Sequence, residues 1–377
     1  MLGFIGFCWR LFSFMLDIKA WKRRLLGQAV IDVCFVTNIR DETDKRRFLG
    51  KWKPSSGHFN GPMYYLNGVG GRTRAIYTLS EDLLSISGTH KAKENFIKAT
   101  RWAQERGAKV ILLAASTKRL FGESAHEIKT LFPDLLFTIG DNGTALLLLK
   151  ETLNAINKAG LEKNCKIAIV GAYGFLGESI IKSLKRAGFN NLVGLGRRPG
   201  ELKRVSRENN IPVFREFEDM VNSFGKVDVA ITCTYKDTLG LISESIKMIK
   251  VPNKKLLIID VSEPSNMSES EYDYCKNIIV RQDAGNAHSE KLKYVLGAIT
   301  YKMFRLSRGV AFGCFAEALV LASAIKDGDV NIKELDWCRV EKENMDIVQN
   351  LFDKYDFEVP APPLCFGKAV NSFNLNL

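Results

Sequence analysis

What this chain lacks narrows it before what it contains is weighed. Its eight cysteines stand singly at 8, 34, 165, 233, 275, 314, 338 and 365, with no C-x-x-C pair and no metal-type spacing to the four histidines. That excludes the common zinc motifs and fits free thiols in a reducing cytoplasm. No run of about 20 uninterrupted apolar residues occurs, so no ordinary transmembrane helix is encoded. There is no repeat at solenoid period and no low-complexity segment. A composition 46% hydrophobic and 25% charged is that of a globular protein, and 377 residues exceed what one core usually supports, so two domains are expected. The net charge of +12, from 54 Lys and Arg against 42 Asp and Glu, favours an acidic partner without by itself choosing among nucleic acid, an anionic membrane, a phosphorylated cofactor and an acidic carrier protein. No nucleic-acid partner is expected.

The N-terminus is apolar and then basic. MLGFIGFCWRLFSFML is followed by DIKAWKRRLLG, in which Lys19, Lys22, Arg23 and Arg24 cluster. A signal peptide has the reverse order. Two readings of residues 1–29 stay open: a helix lying in a membrane surface, making the protein peripheral to the inner face of the membrane, and a helix covering an apolar groove of the protein itself.

From residue 30 the pattern alternates. Strands are expected at 30–39 and 109–116, helices at 91–109 and 144–161, and a loop over 53–75, which is rich in glycine and aromatics. A second alternating series gives strands at 166–170, 191–196, 227–234, 255–262 and 277–285. Short apolar strands separated by helices imply right-handed crossovers and a parallel sheet. The fold class expected is α/β in two domains. Residues 30–161 begin a substrate domain, 162–300 form a doubly wound Rossmann domain, and 301–377 return as helices to complete the first.

KIAIVGAYGFLGESI sets Gly171, Gly174 and Gly177 between a strand and a helix, with Phe175 and Leu176 opening the helix. Glycine there permits a tight turn, close approach of phosphate oxygens to backbone N–H groups, and close helix–strand packing. The next strand ends in Gly196-Arg197-Arg198 rather than in Asp or Glu. Two guanidiniums suit a 2′-phosphate, so the expected cofactor is NADPH. Thr232, Thr234 and Asp260 fall at later strand ends, where cofactor contacts are expected on topology.

In GVAFGCFAEALVLASAIK (309–326), Cys314 stands in the first turn of an apolar helix, after Arg305 and Arg308. A helix N-terminus and two cations favour a thiolate, yet buried free cysteines are common and inert. The residues alone leave both open. Glu317 is either a carboxylate of the site or the partner of a neighbouring backbone group or arginine.

GCFAEALVL (313–321), GAYGFLGES (171–179), LLIIDVSEPSNM (256–267), QDAGNAHSEKL (282–292) and FTIGDNGTALLLLKET (137–152) together resemble motifs of the long-chain acyl-[acyl-carrier-protein] reductases. The resemblance implies an NADPH-dependent reduction of a fatty acyl thioester to an aldehyde, with acyl carrier protein or acyl-CoA as donor. It makes Cys314 the acyl-accepting nucleophile and matches His288 to a histidine of those reductases, either polarising the acyl oxygen or ordering its loop; Glu317 joins them as a candidate catalytic residue on the first of its two readings. IGDNGT (139–144) departs from the Thr-Gly-Asn-Thr run of those reductases, and Val261-Ser262 from their paired glycines. Two other readings compete. One is a shikimate-dehydrogenase-like NADP oxidoreductase acting on a hydroxyl or keto group, which needs no cysteine and commonly uses a Lys–Asp pair, with Lys118 as its lysine. The other is a protein that binds NADPH without catalysis.

Overall fold

The computed structural model describes residues 18–122, 125–234, 239–294, 306–329 and 331–377. The fold is α/β, in two compact units: Met1–Gly143 with Ala287–Glu358, and Thr144–Asn286 with Val359–Leu377. The first unit opens with strands β1 (Val33–Ile39), β2 (His58–Leu66) and β3 (Val69–Leu79), helix α1 (Ile86–Gln104), and strands β4 (Val110–Leu113) and β5 (Leu136–Thr138). Helix α1 starts where the Ser85 side chain accepts a hydrogen bond from Gly88 N, and it buries Ala92, Phe96, Ala99 and Ala103, spaced to line one helical face.

The loop expected over 53–75 is instead the hairpin β2–β3. Its turn is Asn67-Gly68, both at positive φ (47° and 82°), the pairing that a two-residue hairpin favours because its twist matches the strands. The irregularity at Gly61-Pro62 appears as a register shift between Asn60 and Met63 rather than as a break in the strand. Glycine and proline in this stretch mark a bulge and a turn, not a loop.

Helix α2 (Asp141–Lys158) leads to the second unit, where β6 (Ile167–Val170), helix α3 (Phe175–Arg186), β7 (Leu192–Leu195), β8 (Val213–Phe214), β9 (Val229–Thr232), β10 (Leu256–Asp260) and β11 (Ile279–Asp283) follow. The sheet order is β11-β10-β9-β6-β7-β8, with every pair parallel. Strand order reverses at β6, so the crevice at the carboxyl ends of β6 and β9 is the topological switch point of this unit.

The chain then returns to the first unit with β12 (Lys293–Tyr294), which pairs antiparallel with β2, and helix α4 (Gly313–Lys326). The first sheet has the order β12-β2-β3-β1-β4-β5. Helix α4 buries eleven of its residues; apolar on nearly all sides, it is an internal helix of that unit. Phe315 stacks on Phe35 of β1 at 4.5 Å and meets Tyr64 of β2 edge-on at 5.4 Å.

The unit boundaries differ from the expected breaks after 161 and 300. The C-terminal tail, expected to complete the first unit, belongs to the second. Phe373 and Leu375 enter the second unit's core, Lys255 N donates to Leu375 O at 2.7 Å, and Phe366 lies against the buried guanidinium of Arg281, 3.9 Å from centroid to Cζ. Two apolar residues near the end of a polar tail gave little periodic signal, so their destination was not legible in the pattern.

Candidate active site

The carboxyl ends of the parallel strands β1, β4 and β5 gather the polar residues of the first unit. After β4 the chain makes a short 3-10 turn, Ala115–Arg119. That turn is pinned to the end of β1: Ser116 N donates to Asn38 Oδ1 at 3.1 Å, and Thr117 Oγ1 donates to Val36 O at 3.1 Å and to Ala114 O at 2.7 Å. The pinning aims Lys118 along the sheet edge toward β5. There Asp141, the first residue of α2 and 3% exposed, receives the Lys118 ammonium on both oxygens, at 3.1 and 2.9 Å. A carboxylate in the first turn is also favoured by the helix dipole.

Cys314 and Glu317 sit beside this pair, held by α4. Gly140 is the point of contact: a Cβ there would lie 2.3 Å from the Cys314 Cβ, and its φ is +70°, so only glycine fits. The expected lowered-pKa thiolate is corrected here. Cys314 retains some accessible surface, but burial pushes its thiol up to about 12, the Asp141 and Glu317 carboxylates push the same way, and Lys118 opposes them only in part. The helix N-terminus is outweighed because the thiol lies among carboxylates in a poorly solvated place. Of the two cations expected to help, Arg308 is exposed and Arg305 lies outside the described residues.

Glu317 is fully buried. Its Oε1 accepts from Thr138 Oγ1 at 2.5 Å and its Oε2 from Gly143 N at 2.6 Å. Thr138 Oγ1 in turn accepts from Gly140 N at 2.9 Å. Burial raises the Glu317 carboxyl to about 7, with the Thr138, Gly143 and Asn142 hydrogen bonds opposing. Of the two roles read from sequence, it takes the second: it braces the loop 138–143 on which Asp141 stands. His288 is elsewhere in the first unit. Its Nε2 lies 3.7 Å from Glu290 and its Nδ1 3.9 Å from Glu358, its backbone bridges to Glu358 in both directions, and no described hydrogen bond or ion pair joins it to Cys314 or Glu317.

In the second unit the glycine turn has the shape a dinucleotide demands. Gly171, at φ +90°, packs against Cys233 and Thr234 at the end of β9, and a Cβ on Gly177 would lie 2.2 Å from Gly171 O. Gly174 caps α3, whose first residues Phe175 and Leu176 follow directly; Phe175 is 42% exposed. Bare N–H groups at a helix N-terminus beside the switch point fit a pyrophosphate. Arg197 and Arg198 follow β7 and are both exposed. Thr232 and Asp260, expected as cofactor contacts, are spent inside the protein. Thr232 Oγ1 donates to Asp260 Oδ1 at 2.7 Å, and Asp260 also takes Ser262 N, Asn266 N and the Arg281 guanidinium at 3.0, 3.0 and 2.8 Å. An arginine with 0% side-chain exposure requires such a partner. Thr234 is half-buried, and its carbonyl is taken by Ser262 and Asn266.

Asp141 was not singled out from the sequence. Its signal was present in IGDNGT: a glycine at a strand end followed by an acidic helix N-terminus, one strand after Lys118.

Residues 154–281 match the family model for shikimate/quinate 5-dehydrogenase. No curated protein matches the chain significantly. Among solved structures, shikimate 5-dehydrogenase of Thermus thermophilus, crystallised with shikimate, is 11% identical over 85% of this chain and 99% of its own, at a TM-score of 0.35. L-tryptophan dehydrogenase of Nostoc punctiforme is 11% identical over 85% and 89%, at 0.37. The nucleotide-binding domain of glutamyl-tRNA reductase from Thermoplasma volcanium is 18% identical over 36% and 84%, at 0.26. The family match overturns the resemblance to acyl-carrier-protein reductases: the segment 154–281, which holds the glycine turn, matches a dehydrogenase family instead. Residues 154–281 are thus similar to a family of dehydrogenases, and they carry most of a Rossmann-type parallel sheet.

Proposed function

We propose that the protein is an NADP-linked dehydrogenase that interconverts a hydroxyl and a keto group on a small molecule, with Lys118 and Asp141 as its proton-handling pair. The observation that carries this reading is the ammonium of Lys118 set on both oxygens of a buried aspartate at the carboxyl ends of adjacent parallel strands. The match of residues 154–281 to a shikimate/quinate dehydrogenase model supports the same chemistry.

An ammonium has three N–H donors, and Asp141 takes at most two. The remaining donor is available to a substrate oxygen. In the reductive direction the carbonyl oxygen takes a proton from Lys118 as the carbon gains hydride, leaving a neutral amine that solvent reprotonates. In the oxidative direction the neutral amine accepts the hydroxyl proton, and the Asp141 charge holds the resulting ammonium. Asp141 is kept in place by Glu317 through Thr138 and Gly143. The cofactor supplies or accepts the hydride when bound; the Gly171–Gly177 turn fits its pyrophosphate, and the exposed Arg197 and Arg198 suit a 2′-phosphate. Cys314 has no covalent role in this scheme.

The test is NADPH oxidation, and NADP+ reduction in reverse, against a panel of small keto and hydroxy acids, comparing wild type with Lys118→Met and Asp141→Asn. A positioned general acid contributes about 10²–10⁴-fold. Both variants should lose turnover on that scale while binding NADPH normally. Full turnover by Lys118→Met would refute the assignment.

A further inference from the structure

Among the described side chains, Arg23 ties the helix Ile18–Leu25 to the first unit. Arg23 donates to Val30 O at 3.1 Å, to Asp32 Oδ2 at 3.1 Å and to Gly68 O at 3.2 Å. Those three bonds set the rotation of the helix about its own axis. At about 100° per residue, Trp21 and Leu25 lie roughly 40° apart and centred about 180° from Arg23. Lys22 and Arg24 fall on either side of that apolar stripe. The exposures agree with the geometry: Trp21 is 67% exposed, Leu25 80% and Leu26, just past the helix, 60%, with Lys22 and Arg24 exposed beside them. The helix contains no acidic residue. Lys326 donates to Gly68 O at 2.9 Å, the carbonyl that also takes Arg23, which adds a cation near the anchor.

Of the N-terminal segment 1–29, residues 1–17 lie outside the described residues; in the described part Trp21 and Leu25 are exposed. Trp21 and Leu25 lie on the side of the helix opposite the Arg23 anchor. A large apolar side chain held outward between two cations has the form of an interfacial helix, whose aromatic and leucine side chains enter the acyl boundary while lysine and arginine meet headgroups. The net charge of +12 acts in the same direction.

We propose that the outward face of the helix Ile18–Leu25, comprising Trp21, Leu25, Leu26, Lys22 and Arg24, docks the protein on an anionic lipid bilayer. No membrane crossing is involved, since no described helix is long and apolar enough to span one. The surface is separate from the Lys118–Asp141 pair, so the proposal stands or falls independently of the dehydrogenase reading.

The full-length protein is co-sedimented with vesicles of pure phosphatidylcholine and with vesicles containing phosphatidylglycerol. Wild type should pellet with the anionic vesicles and be released by salt. A basic residue at an anionic surface contributes about 1 kcal/mol, so Lys22→Gln with Arg24→Gln should weaken partitioning about 25-fold. Trp21→Ser with Leu25→Ser should abolish it. Unchanged thermal midpoints and NADPH binding would show that both double variants remain folded. Failure of wild type to bind anionic vesicles, equal binding by wild type and variants, or a change of oligomeric state in the variants without a change in vesicle binding would each overturn the proposal, the last by assigning the face to a second copy of this chain.

Discussion

Glu317 gives the sharpest quantitative handle on the site. It is a fully buried carboxyl that burial raises from 4.5 to about 7, although Thr138 Oγ1 and Gly143 N both hydrogen-bond to it. A group whose folded pKa lies above its unfolded value stabilises the fold fully below the unfolded pKa, and that stability is lost as pH rises through the folded pKa. The loss therefore accumulates between about pH 4.5 and pH 7 and is constant above. A shift from 4.5 to about 7 corresponds to about 3 kcal/mol at 1.36 kcal/mol per unit. Glu317→Gln removes the titration and keeps the volume. Its Oε1 still accepts from Gly143 N, and its Nε2 donates to Thr138 Oγ1, whose hydroxyl turns to Trp337 O at 3.4 Å. Denaturant unfolding of both proteins from pH 4 to pH 9 measures the difference directly. Relative to wild type, the glutamine variant should gain about 3 kcal/mol across that window. A difference that stays flat with pH would refute the reasoning, because it would mean that Glu317 is ionised at no net cost.

The remaining predictions concern the two glycine contacts and the cysteine. Gly177→Ala places a Cβ 2.2 Å from a backbone carbonyl, so NADPH affinity should fall at least tenfold in a fluorescence titration, and the midpoint of thermal unfolding should drop with it. Cys314→Ser should leave steady-state turnover within a few-fold of wild type, and at pH 7.5 the wild-type thiol should alkylate with iodoacetamide more slowly than free cysteine, since its pKa is pushed up to about 12. Gly140→Ala should do more damage than Cys314→Ser, in both activity and stability, because it drives the Lys118–Asp141 loop away from α4.

Much of the fold was legible because the second unit is written in short apolar strands that can only be buried on both faces. IAIV, LVGL, VAIT and LLIID are each buried throughout, and the glycine triplet marks where the first crossover begins. Position relative to a strand end located Arg197 and Arg198 for the same reason. It placed Thr232 and Asp260 at the correct ends of β9 and β10 but not their roles, since those depended on Arg281. A buried arginine on the next strand in sequence consumes Asp260, and no local pattern announces that it will point inward. The hairpin β2–β3 was hidden for the opposite reason: its turn and bulge residues look like loop, and only pairing between strands gives them a register.

At Cys314 local chemistry and tertiary surroundings disagree. Taken alone, GCFAEALVL puts a thiol at a helix N-terminus, where the dipole and two nearby arginines favour a thiolate. In the folded unit the same helix is internal, and what it meets is set by the loop 138–143 arriving from β5. That loop brings Asp141 to Cys314 and Thr138 to Glu317, more than 170 residues away in sequence. Lys118 was identifiable as the lysine of a Lys–Asp pair because it follows a buried strand by a few residues. Its partner could be found only by asking which acidic residue occupies the equivalent end of the neighbouring strand. Asp141 meets that condition, since β4 and β5 pair in parallel from Val110–Leu136 to Leu112–Thr138, so both strands end at the same edge of the sheet. The pairing of strands therefore brings Lys118 and Asp141 together, and the cysteine that first attracts notice owes its surroundings to the same pairing.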